Sequence, residues 1–148
     1  MVSSPKMKEI ISQIAKKHEF DLDAEGVHLC LRLNGCEQLD IWKAHPQIID
    51  VTHRYVDEDE SDVPEGDLEW TFDPDVEFFM NDNDEWCPTY IKRPLTNFRR
   101  YIRFKSNGNW TYEVRKEDHK NLAQFTEYWA DVIRKQGWLQ RAVKVSTD

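Results

Sequence analysis

Apolar positions recur along the chain with two periods. Met7, Ile10, Ile11, Ile14, Ala15 and His18 recur at helical spacing, which predicts an amphipathic helix of about 14 residues. Ser4 and Pro5 stand where an N-cap and a first helical residue belong. Lys16, Lys17 and His18 fall in the last turn, where the helix dipole favours cations.

The period then drops to two. Val27, Leu29, Leu31 and Leu33 alternate with His28, Cys30 and Arg32, a strand with one buried face that ends at the Asn34-Gly35 turn. Residues 48–56, IIDVTHRYV, are β-branched and aromatic and predict a second strand. Leu68, Trp70, Phe72, Pro74, Val76, Phe78 and Met80 then take the even positions, and Asp67, Glu69, Thr71, Asp73, Asp75 and Glu77 the odd ones. Phe79 breaks the alternation, and proline cannot sit in a central ladder. Asp73-Pro74-Asp75 is therefore expected to bend or turn two short strands, with one aromatic and one acidic face. Residues 89–91 predict a short strand before Pro94.

Residues 99–105 and 109–115 flank Ser106-Asn107-Gly108 and predict a hairpin. A two-residue Asn107-Gly108 turn would set Ile102 against Glu113 and Phe104 against Thr111. A three-residue loop with left-handed Gly108 pairs Phe104 with Trp110 and Ile102 with Tyr112. A slip of one residue flips every side chain, so the three-residue loop is expected, with Arg103 and Glu113 diagonal on the other face. Leu122, Phe125, Trp129, Val132 and Ile133 form one stripe of a helix over residues 116–136, which Gly137 ends. Arg134, Lys135, Arg141 and Lys144 make that end of the chain basic. The order predicts a single α+β domain over residues 1–148, an antiparallel sheet of about five or six strands flanked by an N-terminal and a C-terminal helix. Residues 57–66 are expected to be an acidic loop and residues 140–148 a frayed tail.

Composition narrows the class. A chain of 148 residues fits one domain, and an aromatic content of 12% argues against disorder. No apolar run is long enough for a membrane helix. The first residues lack the apolar segment and cleavage site of a secretory signal. The odd set Cys30, Cys36 and Cys87 is then expected to be reduced in a cytoplasm, with Cys30 semi-buried and Cys87 in a turn before Pro88.

Charge changes the picture most. The net charge is -8, but it is segregated. The 37 residues 55–91 hold 14 acids and no Lys or Arg, while the other 111 hold 20 bases and 14 acids. Directly after the acidic stretch come Lys92, Arg93, Arg99, Arg100, Arg103 and Lys105 without an acid between them. Three readings follow, the blandest being a solvated loop that only keeps the protein soluble. Arg99 or Arg103 on a neighbouring strand neutralises the acids internally, or a one-signed surface awaits a basic partner.

Catalytic signatures are missing: there is no P-loop, G-x-G-x-x-G, H-E-x-x-H or G-x-S-x-G. His28, His45 and His53 beside the cysteines have irregular spacing for zinc, so neither metal nor cofactor is expected. Glu113-Val114-Arg115 has Arg where a nuclease reading needs Lys. His119 reads as a surface residue. Basic and aromatic residues interleave over residues 97–105 and would suit single-stranded nucleic acid, but an acidic chain argues against direct nucleic-acid binding.

The segment Asp73-Pro74-Asp75-Val76-Glu77-Phe78 is followed by Trp86-x-Pro88 and by Phe125-x-x-x-Trp129-x-x-x-Ile133-x-x-Gln136-Gly137-Trp138. Over residues 73–139 this resembles an uncharacterised family, a domain of unknown function carried by plasmids, phages and other mobile elements. The resemblance implies a small intracellular protein of such an element and supplies no catalytic residues. Mobile elements often encode small acidic inhibitors of host defence.

Carboxylates at alternate strand positions stand about 6.5–7 Å apart, and a DNA strand presents a phosphate every ~3.4 Å of axis. An acidic strand plus an acidic loop approximates that field. The expected function is a non-enzymatic inhibitor with a nucleic-acid-mimicking face, an anti-CRISPR or anti-restriction protein in its concrete form. Its partner would be a basic nucleic-acid-handling protein of the host. Asp67, Glu69, Asp73, Asp75 and Glu77 would bind it, with Asp57, Glu58, Asp59 and Glu60 as auxiliaries. A homodimer is compatible with this. The alternatives are a small ligand-binding or enzymatic domain with an aromatic-lined pocket, and a structural accessory protein without a site.

Overall fold

Leu29, Leu31 and Leu33 are sealed from water in one core to which two helices contribute their apolar stripes. The computed structural model describes residues 1–56, 64, 70–94, 98–105 and 107–145. The elements run α1 (Pro5–Lys17), β1 (His28–Leu33), β2 (Glu37–His45), β3 (Ile48–Tyr55), β4 (Thr71–Met80), β5 (Trp86–Lys92), β6 (Arg99–Arg100), β7 (Ile102–Phe104), β8 (Trp110–Tyr112), α2 (Lys116–Gln136) and β9 (Val143–Val145). A seven-stranded antiparallel sheet takes the order β6-β5-β4-β3-β2-β1-β9, and β7-β8 form a separate ribbon. The fold is α+β with terminal helices, as the sequence predicts, with more strands than the expected five or six.

Met7, Ile10, Ile11 and Ile14 of α1 and Trp129, Ala130 and Ile133 of α2 join Leu39, Ile41, Ile49, Val51, Val76 and Phe78 in one buried cluster. Both helices therefore cover the same face of the sheet, and among the described residues no helix covers the other. The Ser4 hydroxyl makes no cap bond to its own helix. It donates instead to Glu127 Oε1 of α2 at 2.7 Å, and the same oxygen accepts the Lys6 N–H at 2.9 Å. The second helix thus caps the first, because an orphan N–H at a helix start takes whichever acceptor is near. Gly137 ends α2 at φ +88°, a left-handed conformation in which its N–H reaches Arg134 O.

Several local expectations are corrected. β2 was not expected; its alternation of Leu39 and Ile41 with Gln38, Asp40 and Trp42 is interrupted by Lys43. That lysine is buried, its ammonium held by the Leu22 carbonyl. Residues 71–80 form one strand rather than two, because a register irregularity opposite Thr52 and Arg54 absorbs the proline. Cys87 lies inside β5, not in a turn. Residues 99–105 split between the sheet edge (β6) and the ribbon (β7). Residues 143–145, expected to fray, pair with β1. His119 is fully buried, donating from Nε2 to the Pro88 carbonyl at 2.8 Å against the Tyr112 ring. The ribbon register matches expectation: Phe104 pairs with Trp110, Ile102 with Tyr112, and Arg103 salt-bridges Glu113.

Candidate binding site on the open sheet face

Antiparallel register places residues of successive strands in rows across the uncovered face. One row runs His28, Trp42, Asp50, Glu77, Tyr90, Arg100, and the next Cys30, Asp40, Thr52, Asp75, Lys92. These are the polar partners of the alternation whose apolar members make the core. This face holds a cavity of about 580 Å³ lined by His28, Gln38, Asp40, Trp42, Asp50, Thr52, Arg54, Trp70 and Asp75.

The floor is a hydrogen-bonded network. Asp40 is 7% exposed and accepts from His28 Nε2 at 2.9 Å, Arg54 Nε at 2.9 Å and Gln38 Nε2 at 3.1 Å. Those three donors satisfy a carboxylate that would otherwise be expensive to bury. Thr52 Oγ1 donates to Asp75 Oδ1 at 2.9 Å. Asp50 sits between the two, and none of the hydrogen bonds described involves its side chain. Burial pushes the Asp50 carboxyl up to about 7; the negative Asp75 and Glu77 add to the rise, and Arg100 opposes it. Asp75 is also raised by burial, against the Thr52 hydrogen bond and the cations Arg54 and Lys92. Burial and then Asp40 push the Cys30 thiol up to about 12. Burial, followed by Asp75, raises Tyr90.

Aromatic side chains form the walls. Trp42 is 49% exposed. Trp70 lies under the Arg32 guanidinium, 5.3 Å from its ring centre, and Lys92 Nζ sits 5.1 Å from the Phe72 ring centre. Here the expected separation of an aromatic from an acidic face is corrected. Arg54 pairs with Phe72, while Thr52 pairs with Asp75. Across that irregularity β4 brings Trp70 and Phe72 to the side of Asp75 and Glu77, while Val76 and Phe78 stay in the core.

The candidate acids are distributed unevenly. Asp75 and Glu77 share the open face. Asp73 does not: it binds Arg93 Nε at 2.9 Å, and that guanidinium lies over Phe125 of α2. Glu77 Oε2 accepts from Arg100 at 2.9 Å and from Thr89 Oγ1 at 2.6 Å. Internal neutralisation therefore operates at Asp73 and Glu77, but through Arg93 and Arg100. Arg99 and Arg103, the expected partners, turn to Asp118 and Glu113. Asp57, Glu58, Asp59, Glu60, Asp67 and Glu69 lie outside the described residues.

Asp40, Asp50, Trp42 and Arg54 are not singled out by the sequence, and His28 is considered there only as a zinc ligand. The signal that could have found them is the polar half of residues 37–56, where Gln38, Asp40, Trp42, Asp50, Thr52 and Arg54 fall on alternate positions. Among the described residues no group of three His, Cys, Asp or Glu side chains is placed to hold a metal ion, and no helix is long and apolar enough to cross a membrane. The site can accept hydrogen bonds from a cation, stack a planar group, and hold one proton near neutrality on Asp50. No family model, curated protein or solved structure matches this chain.

Proposed function

We propose that the chain is a non-enzymatic binding protein that receives a basic, nucleic-acid-handling protein on its acidic side. The observation that carries the reading is the uncovered sheet face, where Asp40, Asp50 and Asp75 line one cavity together with the half-exposed Trp42 and with Trp70. Carboxylates that are desolvated without a full set of donors favour a cationic partner, because association supplies the missing donors. In its concrete form this is an anti-defence inhibitor of a mobile element, acting in the cytoplasm of the host. That context rests on the resemblance of residues 73–139.

The nucleic-acid-mimicking version draws on the acids of residues 57–69 as well, since Asp73 and Glu77 are held by arginines. Two measurements test it. Capture of a DNA-binding host protein should weaken steeply with salt, as phosphate-like contacts do, and duplex DNA should compete with it. Reversal of Asp57, Asp59 and Asp67 to Lys should abolish capture while the circular dichroism spectrum is kept. Capture that ignores salt, DNA and these substitutions contradicts the proposal.

A second reading, a small ligand-binding or enzymatic domain, is favoured by one arrangement: Asp50 and Asp75 line the same cavity, and burial pushes the Asp50 carboxyl up to about 7. Unequal carboxyls are the usual equipment for acid–base chemistry. A turnover that disappears in Asp50→Asn without loss of folding would favour this reading over the first.

A further inference from the structure

We propose that the cavity on the open sheet face is a receptor for an arginine side chain of a basic protein segment, its guanidinium stacked on Trp42 and accepted by Asp50 and Asp75. The inference deepens the reading of the acidic side as a binding surface and rests on it.

Three features of the cavity point to this occupant. The first is size: about 580 Å³ lies within the roughly 300–1,000 Å³ of ligand clefts, and the floor is polar, so it suits a long side chain with a charged end. The second is the pattern of open acceptors. Asp40 is filled by three donors, but among the described residues Asp75 is hydrogen-bonded at Oδ1 alone, by Thr52, and Asp50 makes none of the hydrogen bonds described. A guanidinium carries five donors in one plane and suits two neighbouring carboxylates. An ammonium is a compact point charge with stronger hydration.

The third feature is independent of the acids. Trp42 stands directly across from Asp50 in the sheet register and is half exposed, although a tryptophan gains most by burial. A ring beside a carboxylate is the surface on which guanidinium groups stack. The protein already uses that arrangement on the same face: Arg32 lies over Trp70, and Arg100 lies 5.1 Å from the Tyr90 ring centre while it binds Glu77. Phosphates are excluded by the carboxylates, so the arginine belongs to a protein and not to a nucleic-acid complex seated in the cavity.

The test is calorimetric titration at low salt with acetyl-Gly-Arg-Gly-Arg-Gly-amide and with the same peptide carrying lysine or citrulline. Citrulline keeps the shape of arginine and removes its charge. The arginine peptide should bind several-fold tighter than the lysine peptide, and the citrulline peptide should not bind. Asp75→Asn, which retains an acceptor for Thr52, should weaken binding by about tenfold, the weight of a charge-assisted hydrogen bond. Trp42→Ala should weaken it by roughly fivefold, the weight of a partly desolvated cation–π contact. Asp131→Asn on the helical side should change nothing.

Equal binding of the arginine and lysine peptides, unaffected by Trp42→Ala but lost with the acidic variants, overturns the arginine receptor and leaves the acidic-face reading standing. No binding of the arginine peptide to the native protein also overturns the receptor. The acidic-face reading is then judged by the capture and DNA-competition measurements. Failure of those with a bound arginine peptide would leave the receptor and remove the nucleic-acid-handling partner.

Discussion

Replacing Asp50 with Asn removes a charge that the fold tolerates poorly, and the size of the effect can be worked out. The carboxyl goes from 3.8 in an unstructured chain to about 7 in the folded protein. Each unit is worth about 1.4 kcal/mol, so the ceiling is about 4 kcal/mol, and water reaching the open face reduces it to on the order of 2–3 kcal/mol. The folded state binds the extra proton between those two values. Asp50 therefore lowers the stability of the native protein progressively as pH rises from about 4 towards 7, after which its effect is constant. The uncharged amide of the variant has no such dependence. In urea unfolding followed by tryptophan fluorescence, the advantage of Asp50→Asn should be near zero at pH 4, grow by up to about 1.4 kcal/mol per pH unit, and level off. The pH at which it levels off reads the folded-state value directly. An advantage that is the same at pH 4 and pH 8, or a variant less stable throughout, would refute the reasoning: the carboxylate would then be as well solvated on the sheet as in the unfolded chain.

Three further outcomes are expected. Under native conditions near pH 8 a thiol reagent should modify the half-buried Cys36 first, with Cys30 and Cys87 reacting only on unfolding, because burial raises both thiols; rapid labelling of Cys30 would contradict the closed floor of the cavity. His119 is lowered from 6.5 by burial, and its Nδ1 has no hydrogen-bond partner among the described residues, so its stabilising contribution is complete above pH 6.5 and is lost as pH falls below it; an NMR titration of the ring should give a value below 6.5. Gly137→Ala should destabilise by about 1–2 kcal/mol, since φ is +88° and the new Cβ would meet Arg141 Nε at 2.6 Å; an unchanged midpoint in urea would mean that the helix end adjusts freely.

The apolar half of the pattern made most of the fold legible. Leu29, Leu31 and Leu33 revealed a strand by strict alternation, and Phe104, Trp110, Ile102 and Tyr112 fixed a hairpin register because only one loop length paired apolar with apolar. β2 was hidden by Lys43, whose buried ammonium finds a carbonyl that is remote in the chain. His119 was misplaced for a similar reason: its partner is the carbonyl of Pro88, 31 residues away. Of the candidate acids, local spacing correctly placed Asp75 and Glu77 on one face. It failed at Asp73 because the irregularity opposite Thr52 and Arg54 turns the strand over, and that irregularity depends on pairing between strands. The same event carries Trp70 and Phe72 to the acidic side. The cavity is thus a product of register, and its central residue, Asp50, looks like any other polar strand position until three strands are aligned.

The most direct test of the account is a ¹H–¹⁵N map of the protein titrated with the arginine peptide at low salt. Saturable shifts are expected at the Trp42 indole and at the amides of Asp50, Thr52 and Asp75, with the exposed Tyr128 of α2 unmoved. Shifts gathered on α2, or none on the open sheet face at saturating peptide, would contradict it.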